Sequence, residues 1–324
     1  MLNRRTILLV GVLLGAVFLY LAGRSLDWIA LTEALRRSHG HHLVLVLACV
    51  LLYLAVKAHR WRYLIRPLID ASTTDLLPAV IAGSAGNYIF PHAGEIARAI
   101  VANRRLKVPT SALLASVALE RIADFLAMLL IAVAVLVPVG RMSPDMLVAS
   151  YVVGALCAVI FGAVAVFMIW TESCLQLMEQ VLMPMPSRLR AGVLRQMRAG
   201  TAGLNAIARP RLLLPVVLLS VLQWIAVVAC VAFSLKAVEV SVPLAAAVSV
   251  LLLNVVGLTL PSAPGHVGTV QLAFSVALAP FGVSNADAFA ASVVYNFLTV
   301  ALTLALGLPG LRGAGLKLRA LLDA

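Results

Sequence analysis

The sequence predicts an all-α, polytopic integral membrane protein, and three observations support that prediction. The 324 residues are 63% hydrophobic and only 12% charged, whereas soluble domains are roughly half apolar and a quarter charged. The mean hydropathy is +1.05. The apolar residues form long Leu, Val and Ala runs that approach the roughly 20 residues needed to cross a bilayer as a helix. Strands of an outer-membrane barrel would instead alternate apolar and polar residues.

Six apolar runs are predicted to be complete transmembrane helices, because their length and continuity suit a helix in lipid. They span residues 7–23, 43–57, 111–137, 147–170, 212–235 and 287–308. The first run follows a basic start, as in a signal peptide, but it exceeds the roughly 7–15 apolar residues of such a peptide. We therefore expect it to be retained as a helix.

Two further apolar segments, residues 76–101 and 242–281, are interrupted by Pro and Gly near their middles. The clusters of Lys and Arg lie at 4–5, 57–66, 104–107, 188–211 and 312–319. Such clusters are typical of cytoplasmic loops, so segment 76–101 is predicted to enter and leave the membrane by the cytoplasmic face. The same reasoning makes segment 242–281 a re-entrant hairpin from the opposite face. Both chain termini are then cytoplasmic, in a bacterial inner membrane.

These segments form two units of span, hairpin and span with opposite orientation, an inverted repeat of the kind found in transporters. The units cover residues 43–137 and 212–308 of a single transmembrane domain, residues 1–324. Span 147–170 and a cytoplasmic amphipathic segment, 171–211, link them. Asn, Pro and Gly recur in both hairpins, although residue identities otherwise repeat weakly. We expect irregular backbone at this depth only where it is buried in protein or lines a wet cavity.

The first hairpin supplies five candidate substrate-binding residues. They are Asn87, Pro91, His92, Glu95 and Arg98. Small residues around them allow close backbone approach, and Pro91 frees carbonyl groups at mid-depth. Glu95 and Arg98 are three residues apart, so on a helix they share a face and could form a structural ion pair. Alternatively, Arg98 binds an anionic head group through its forked donors.

The third predicted span carries three more candidates, Glu120, Arg121 and Asp124, inside an otherwise apolar helix. Charges at such a position are costly in lipid and are expected to face the protein interior and find partners. Glu120 and Asp124 share a face, and one neutralising arrangement joins that face to Arg98. Two roles for these charges are open: Glu120 or Asp124 couples transport to protons, or the charges form a purely structural network.

The second hairpin is distinguished by backbone flexibility and carries no charged residue. Its candidates are Pro261, Pro264, Gly265, His266 and Gly268. His266 either titrates near neutral pH or binds a polar group, or it is a hydrogen-bonding residue of the turn. We interpret this hairpin as the gate of the site formed by the first.

Other polar and aromatic residues are given structural roles. Trp61, Trp170 and Trp224 are predicted at the membrane interface, and residues 26–37 as an amphipathic helix on the outer surface. His39, His41 and His42 have no paired carboxylate and make a weak metal signal, so neither a metal nor a cofactor is predicted. The cysteines are interpreted as packing residues, namely Cys49, Cys157, Cys174 and Cys230.

Several function classes are excluded by the motifs and the charge pattern. The net charge is +12, but the basic residues flank apolar runs, which indicates contact with anionic lipid head groups and excludes nucleic acid. No nucleotide-binding loop, HExxH or GxSxG motif is present, and no catalytic residue is predicted.

Three motifs resemble the lysylphosphatidylglycerol synthase transmembrane family, the flippase half of multiple peptide resistance factors and its stand-alone relatives. They read Asn87-x-x-x-Pro91-x-x-Gly94-Glu95-x-x-Arg98, Glu120-Arg121-x-x-Asp124 and Pro261-x-x-Pro264-Gly265-x-x-Gly268. The resemblance implies movement of a phospholipid or similar amphiphile between leaflets, with re-entrant helices enclosing a head-group cavity. Synthase activity is not expected without a soluble aminoacyl-transferase domain. Gln271 stands where this pattern would place Glu.

The predicted function is therefore that of a lipid flippase whose partners are membrane lipids with an anionic head group. Two alternatives are open. One is an intramembrane lipid-phosphate enzyme, which resembles undecaprenyl-pyrophosphate phosphatases in its opposed hairpins, although the Ser-Arg pair after the Pro-Gly turn is missing. The other is a non-transporting partner of lipid-modifying enzymes. A homo-oligomer and an enzyme partner are also left open.

Overall fold

The structure is a computed structural model that describes residues 13, 16–21, 28–90, 93–136, 176, 180, 183, 210–259 and 262–313. Every regular element in these residues is a helix, which confirms the all-α class. The α-helices are α1 (Trp28–Arg36), α2 (Gly40–Ile65), α3 (Thr73–Ile89), α4 (Gly94–Leu106), α5 (Thr110–Leu136), α6 (Pro210–Ala237), α7 (Leu244–Thr259), α8 (Thr269–Leu278) and α9 (Asn285–Gly313). Two short 3-10 helices are Pro264–His266 and Ala279–Phe281.

Three helices of the described residues are long and apolar enough to cross a membrane, and they support a membrane location. They are Gly40–Ile65, Leu214–Ala237 and Asn285–Leu311. Helix α5 matches the predicted span 111–137 almost residue for residue. Span 147–170 lies outside the described residues, as does most of span 7–23 and of segment 171–211. The total of six spans therefore stays a prediction.

Helix α2 is longer than predicted and changes the interpretation of the basic residues that follow position 57. It continues to Ile65 without a break, so Lys57 and Arg60 lie on a helix and not in a loop. Both side chains are buried, and Arg60 is 0% exposed. The assignment of the whole cluster 57–66 to cytoplasmic anchors is wrong for these two residues. Arg62, on another face, remains exposed as predicted.

Helices α3 and α4 form the first hairpin, and its two helices are packed backbone against backbone. A Cβ atom on Gly94 would overlap the carbonyl oxygen of Gly83 and the side chain of Asn87. A Cβ atom on Gly86 would lie 3.1 Å from the Cα of Gly94. The two helices can therefore approach this closely only with glycine at these positions, as we expected from the small residues in this segment. Pro91 and His92 lie outside the described residues.

Helices α7 and α8, with the 3-10 turn between them, form the second hairpin. The turn uses left-handed backbone at Gly265 (φ 69°), His266 (φ 56°) and Gly268 (φ 86°). Glycine adopts this conformation without strain, whereas histidine does so at a cost. Pro261 lies outside the described residues. In both predicted hairpins the structure has a helix, a break and a second helix. Their re-entrant placement in a membrane stays a prediction.

Helix contacts come in matching pairs that relate α2 to α6, α3 to α7, α4 to α8 and α5 to α9. Helix α3 packs on α9 as α7 packs on α5, and α2 packs on α9 as α6 packs on α5. Helix α4 contacts α5 as α8 contacts α9. Exchanging the two units maps the contact between α2 and α6 onto itself. This is the pattern that two internally related units would give.

Helix α1 buries Leu31 and Ala34 and exposes Glu33 and Arg36, as predicted for an amphipathic helix. Trp28 and Ile29, which were expected on its apolar side, are exposed. Its placement on the outer membrane surface stays a prediction.

The histidines after α1 were expected to have no carboxylate partner, and this expectation is wrong for His39. His39 Nε2 lies 3.0 Å from Glu239 Oε1. Cys49 and Cys230 are buried and free, as expected for packing residues.

Candidate functional site

Helices α2, α4 and α5 bring together a cluster of charged side chains in the interior of the helix bundle. We call it the charge cluster. Its members are Lys57, Arg60, Glu95, Arg98, Glu120, Arg121 and Asp124. The sequence predicted five of these residues as a site, and it missed the two from α2. A signal for them existed, because residues 57, 60, 61 and 64 follow the spacing of one helix face.

Glu120 is the centre of the cluster, and both of its carboxylate oxygens have cationic partners. Arg98 Nη1 donates to Oε2 at 2.6 Å, and Arg60 Nη2 lies 2.7 Å from Oε1. Lys57 Nζ lies 3.9 Å from Oε1. The predicted connection between the Glu120 face and Arg98 is present. A buried carboxylate is tolerated only with such compensation.

Asp124 is paired on the same face, one helical turn further along α5. Its Oδ1 accepts hydrogen bonds from Arg60 Nη1 at 2.5 Å and from Trp224 Nε1 at 3.0 Å. Arg60 Nη1 also lies 2.7 Å from the hydroxyl oxygen of Ser220. Arg60 therefore bridges both carboxylates and ties α2 to α5 and α6. The indole of the half-buried Trp224 donates to this pair, and its position at the membrane interface stays a prediction.

The guanidinium of Arg98 lies over an aromatic ring. Its guanidinium carbon is 3.8 Å from the ring centroid of Trp61, and Trp61 Nε1 donates to Ser116 Oγ at 2.8 Å. The Trp61 side chain is fully buried in the protein, so the prediction of an indole that contacts the membrane interface is wrong for this residue. A cation at this distance over an indole makes a favourable cation–π contact.

One edge of the Arg98 guanidinium has no hydrogen-bond partner among the described residues. Among the side chains that the structure describes, Arg98 is 3% exposed and its Nε and Nη2 make no hydrogen bond. These two nitrogens form the side fork that matches the two oxygens of a carboxylate or phosphate. Buried donors normally have partners, so such an edge calls for an explanation.

Glu95 and Arg98 do not pair with each other, which corrects the expectation from their spacing. Glu95 Oε1 accepts from Arg121 Nη2, and Arg98 turns to Glu120. The reason is that α4 packs on α5, which offers each residue a partner of opposite charge. The Glu95 and Arg121 side chains are 21% and 48% exposed, so this pair forms the open edge of the cluster.

Asn87 has a structural contact in this arrangement. Its Oδ1 accepts a hydrogen bond from Gly94 N at 2.8 Å and satisfies a free amide at the start of α4. Its Nδ2 lies 3.4 Å from Glu95 Oε1. Asn87 thus joins the two helices of the first hairpin next to the charge cluster.

The candidates in the second hairpin lie against the first hairpin. His266 Nδ1 is 2.9 Å from Ser262 Oγ, which agrees with a hydrogen-bonding role, and its ring centroid is 5.5 Å from that of Tyr88 in α3. Pro264 is exposed and Gly268 is buried at the start of α8. The hairpins therefore meet through Tyr88 and His266.

Gln271 accepts a hydrogen bond from a backbone amide at the start of α8, as Asn87 does at the start of α4. Its Oε1 accepts from Gly268 N at 2.7 Å, so an uncharged amide supplies the acceptor where the family pattern suggested Glu. We expect Gln271→Ala to lower the free energy of unfolding by about 1 kcal/mol, because the amide of Gly268 loses its partner. Val276→Ala, at an exposed position of the same helix, should lose clearly less. Equal losses in denaturant titrations of the two purified variants would contradict this role.

The apolar helices, the two hairpins and the buried charge cluster define an all-helical integral membrane protein. Residues 8–307 match the family model described as the lysylphosphatidylglycerol synthase TM region. The chain belongs to this family, which confirms the resemblance of its motifs. No curated protein matches the chain.

Proposed function

We propose that this protein moves a phospholipid or a similar amphiphilic lipid between the two leaflets of the bacterial inner membrane. The observation that supports the proposal most directly is the unpartnered side fork of Arg98 within the charge cluster. Family membership is consistent with a role in lipid synthesis or lipid movement. The site offers cationic donors for a polar group, and the described residues include no group of His, Cys, Asp or Glu side chains that could hold a metal ion; we therefore propose transport of the lipid.

An anionic head group suits this site for geometric reasons. The fork presents two parallel donors, and the indole of Trp61 lies against the guanidinium. A head group crossing hydrocarbon loses its hydration, and a charge-assisted bidentate contact offsets part of that loss. The acyl chains would stay in the bilayer while the head group passes through the protein.

The hairpins supply the conformational part of the proposal. We propose that both are re-entrant and belong to an inverted repeat, with both termini in the cytoplasm. The matched helix contacts and the asymmetry of the basic clusters support this arrangement. Because the fork is closed off from solvent, the second hairpin would have to move, as a gate, to admit a head group. Proton coupling through Glu120 or Asp124 stays a prediction.

Arg98→Lys is the variant that tests the proposal. Lysine keeps the positive charge but removes the planar fork, so we expect redistribution of a fluorescent phospholipid in proteoliposomes to fall by about tenfold or more. Arg104→Lys is the matched control, since Arg104 is exposed at the far end of the same helix. It should retain the rate of the unmodified chain.

The same vesicles separate the alternatives. A non-transporting partner protein would move no lipid above the rate of empty vesicles. A lipid-phosphate enzyme would release phosphate from a polyprenyl pyrophosphate. Normal redistribution by a correctly folded Arg98→Lys variant would reject the proposed head-group site.

A further inference from the structure

Three histidines, His39, His41 and His42, lie where the start of α2 meets the end of α6. The ring centroids of His41 and His42 are 3.9 Å apart, and the ring of His39 lies 5.6 Å and 6.2 Å from them. His39 N donates to Ala237 O at 3.0 Å, and His39 Nε2 lies 3.0 Å from Glu239 Oε1. The chain turns at Glu239 with left-handed backbone (φ 63°). We call these five residues the histidine junction.

His42 is the member of the histidine junction that packs between the two helices. It is half-buried, whereas His39 and His41 are exposed. Its ring lies against Phe233 of α6, with the ring centroids 6.4 Å apart and the ring planes at 27°. Its Nδ1 is buried and makes no hydrogen bond to the described residues. In a neutral imidazole this nitrogen can be a lone pair, whereas an imidazolium would bury a charged N–H donor without an acceptor. The packed position of His42 therefore suits its neutral form.

The charges around the histidine junction also oppose protonation. Arg37 Nη1 lies 3.7 Å from Glu239 Oε2, and Lys236 Nζ lies 6.0 Å from the ring centroid of Phe233. With neutral histidines, Arg37, Lys236 and Glu239 carry one more positive charge than negative. With three protonated histidines the excess would be four. Like charges this close repel one another, and a single carboxylate offsets only one of them.

The elements packed around α1, α2 and α6 bring few other charges towards the junction. They are Glu33 and Arg36 in α1, Asp287 in α9, which Ser284 binds, and Asp75 in α3, which Ser72 binds. The carboxylates of α5 meet α2 at Lys57 and Arg60, roughly four helical turns beyond His42. In the part of the chain that the structure describes, Glu239 is the carboxylate in ion-pair contact with these histidines.

We propose that the histidine junction is a pH-sensitive latch, which holds the start of α2 against the end of α6 while His42 is neutral and releases it when the histidines are protonated. Histidine is the side chain that ordinarily changes charge between about pH 5 and 8, and the exposed rings of His39 and His41 give protons access. Release lets His42 Nδ1 donate to water and lets the imidazolium rings separate. The contact is therefore lost as the pH falls.

The latch acts on the contact between the two units of the fold. Helix α2 belongs to the first unit and α6 to the second, and the same helices meet again where Arg60 contacts Ser220. Release of the histidine junction frees one end of this contact while Arg60 holds the other. This inference goes beyond lipid movement and does not depend on it, since the latch is measured on the purified protein alone.

The test is hydrogen exchange of the full-length protein in detergent micelles at about pH 7.5 and about pH 5, with each rate divided by the intrinsic chemical rate at that pH. We expect residues 39–46 and 233–240 to exchange about tenfold faster at the lower pH, because the contacts between α2 and α6 open there. Residues 57–65, at the other end of α2, should change by less than about twofold. An equal increase along all of α2, or no increase at the junction, would overturn the proposal.

His42→Phe is the variant that tests the role of the buried ring. Phenylalanine keeps a ring against Phe233 but cannot be protonated, so the acceleration at low pH should largely disappear. His59→Phe is the matched control, since His59 lies in the same helix and its Nδ1 is 2.9 Å from Thr73 Oγ1. It should keep the acceleration. An acceleration in His42→Phe equal to that of the unmodified chain would overturn the proposal.

Glu239→Gln gives an independent reading at an exposed position. It removes the carboxylate that offsets one imidazolium, so the midpoint of the opening should move upward by about half a pH unit or more. A midpoint that stays in place or moves downward would contradict the charge balance on which the latch depends.

Discussion

Replacing Arg60 with methionine is expected to lower the free energy of unfolding by about 3–5 kcal/mol, because the change leaves buried carboxylates undercompensated. Arg60 is fully buried and contacts both Glu120 and Asp124. Methionine fills a similar volume, so the loss reflects charge and hydrogen bonding more than a cavity. The measurement is a denaturant titration of the purified protein in mixed micelles, followed by circular dichroism.

Two further variants make the Arg60 result specific. Arg62→Met removes the same charge two residues away, where the arginine is exposed and 3.6 Å from Asp70, and it should change stability by less than about 1 kcal/mol. Adding Asp124→Asn to Arg60→Met should recover part of the loss, since one uncompensated charge disappears. Similar losses for Arg60→Met and Arg62→Met would contradict the buried bridge.

Gly94→Ala is expected to disrupt the first hairpin, at a cost of about 3 kcal/mol or more, because overpacking here involves the backbone. The added methyl group would overlap the carbonyl oxygen of Gly83 and the side chain of Asn87. Neither can withdraw without separating α3 from α4. The separation would also move Glu95 and Arg98, so lipid binding should fall together with thermal stability.

A graded series checks the Gly94 prediction. Gly40→Ala places the same methyl group where nothing lies within 4 Å, at the first residue of α2, and should be neutral or slightly stabilising. Gly86→Ala, with its nearest contact at 3.1 Å, should fall between the two. An unaltered melting temperature for Gly94→Ala would show that the hairpin is not packed as described.

The sequence was sufficient for the helical class and for the breaks in the two hairpins. Long apolar runs restrict the chain to helices in lipid, and Pro and Gly interrupt them at recognisable places. It was insufficient for Arg60 and Trp61. A basic cluster after an apolar run has the same composition whether it lies in a loop or on a buried helix face. Only the continuation of α2 to Ile65 shows that Arg60 and Trp61 lie on a helix.

The pairing of the charges depended on tertiary structure in the same way. The spacing of Glu95 and Arg98 allows a local pair, but the packing of α4 on α5 gives each a stronger partner in Arg121 and Glu120. The connection of Glu120 to Arg98 was predictable because an embedded carboxylate needs a cation. The hydrogen bonds of Trp224 and Ser220 to this cluster come from α6, more than 90 residues away in sequence, and no local pattern indicates them.

The matched helix contacts relate two halves that carry their charges very differently. All seven members of the charge cluster belong to α2, α4 and α5. In the other half, residues 240–286 and 288–311 contain no Asp, Glu, Lys or Arg. A displacement of the second hairpin would therefore carry no formal charge through hydrocarbon, whereas a displacement of the first would carry several. The electrostatic work of a conformational change is thus lowest when the charged helices stay still and the uncharged second hairpin slides past them.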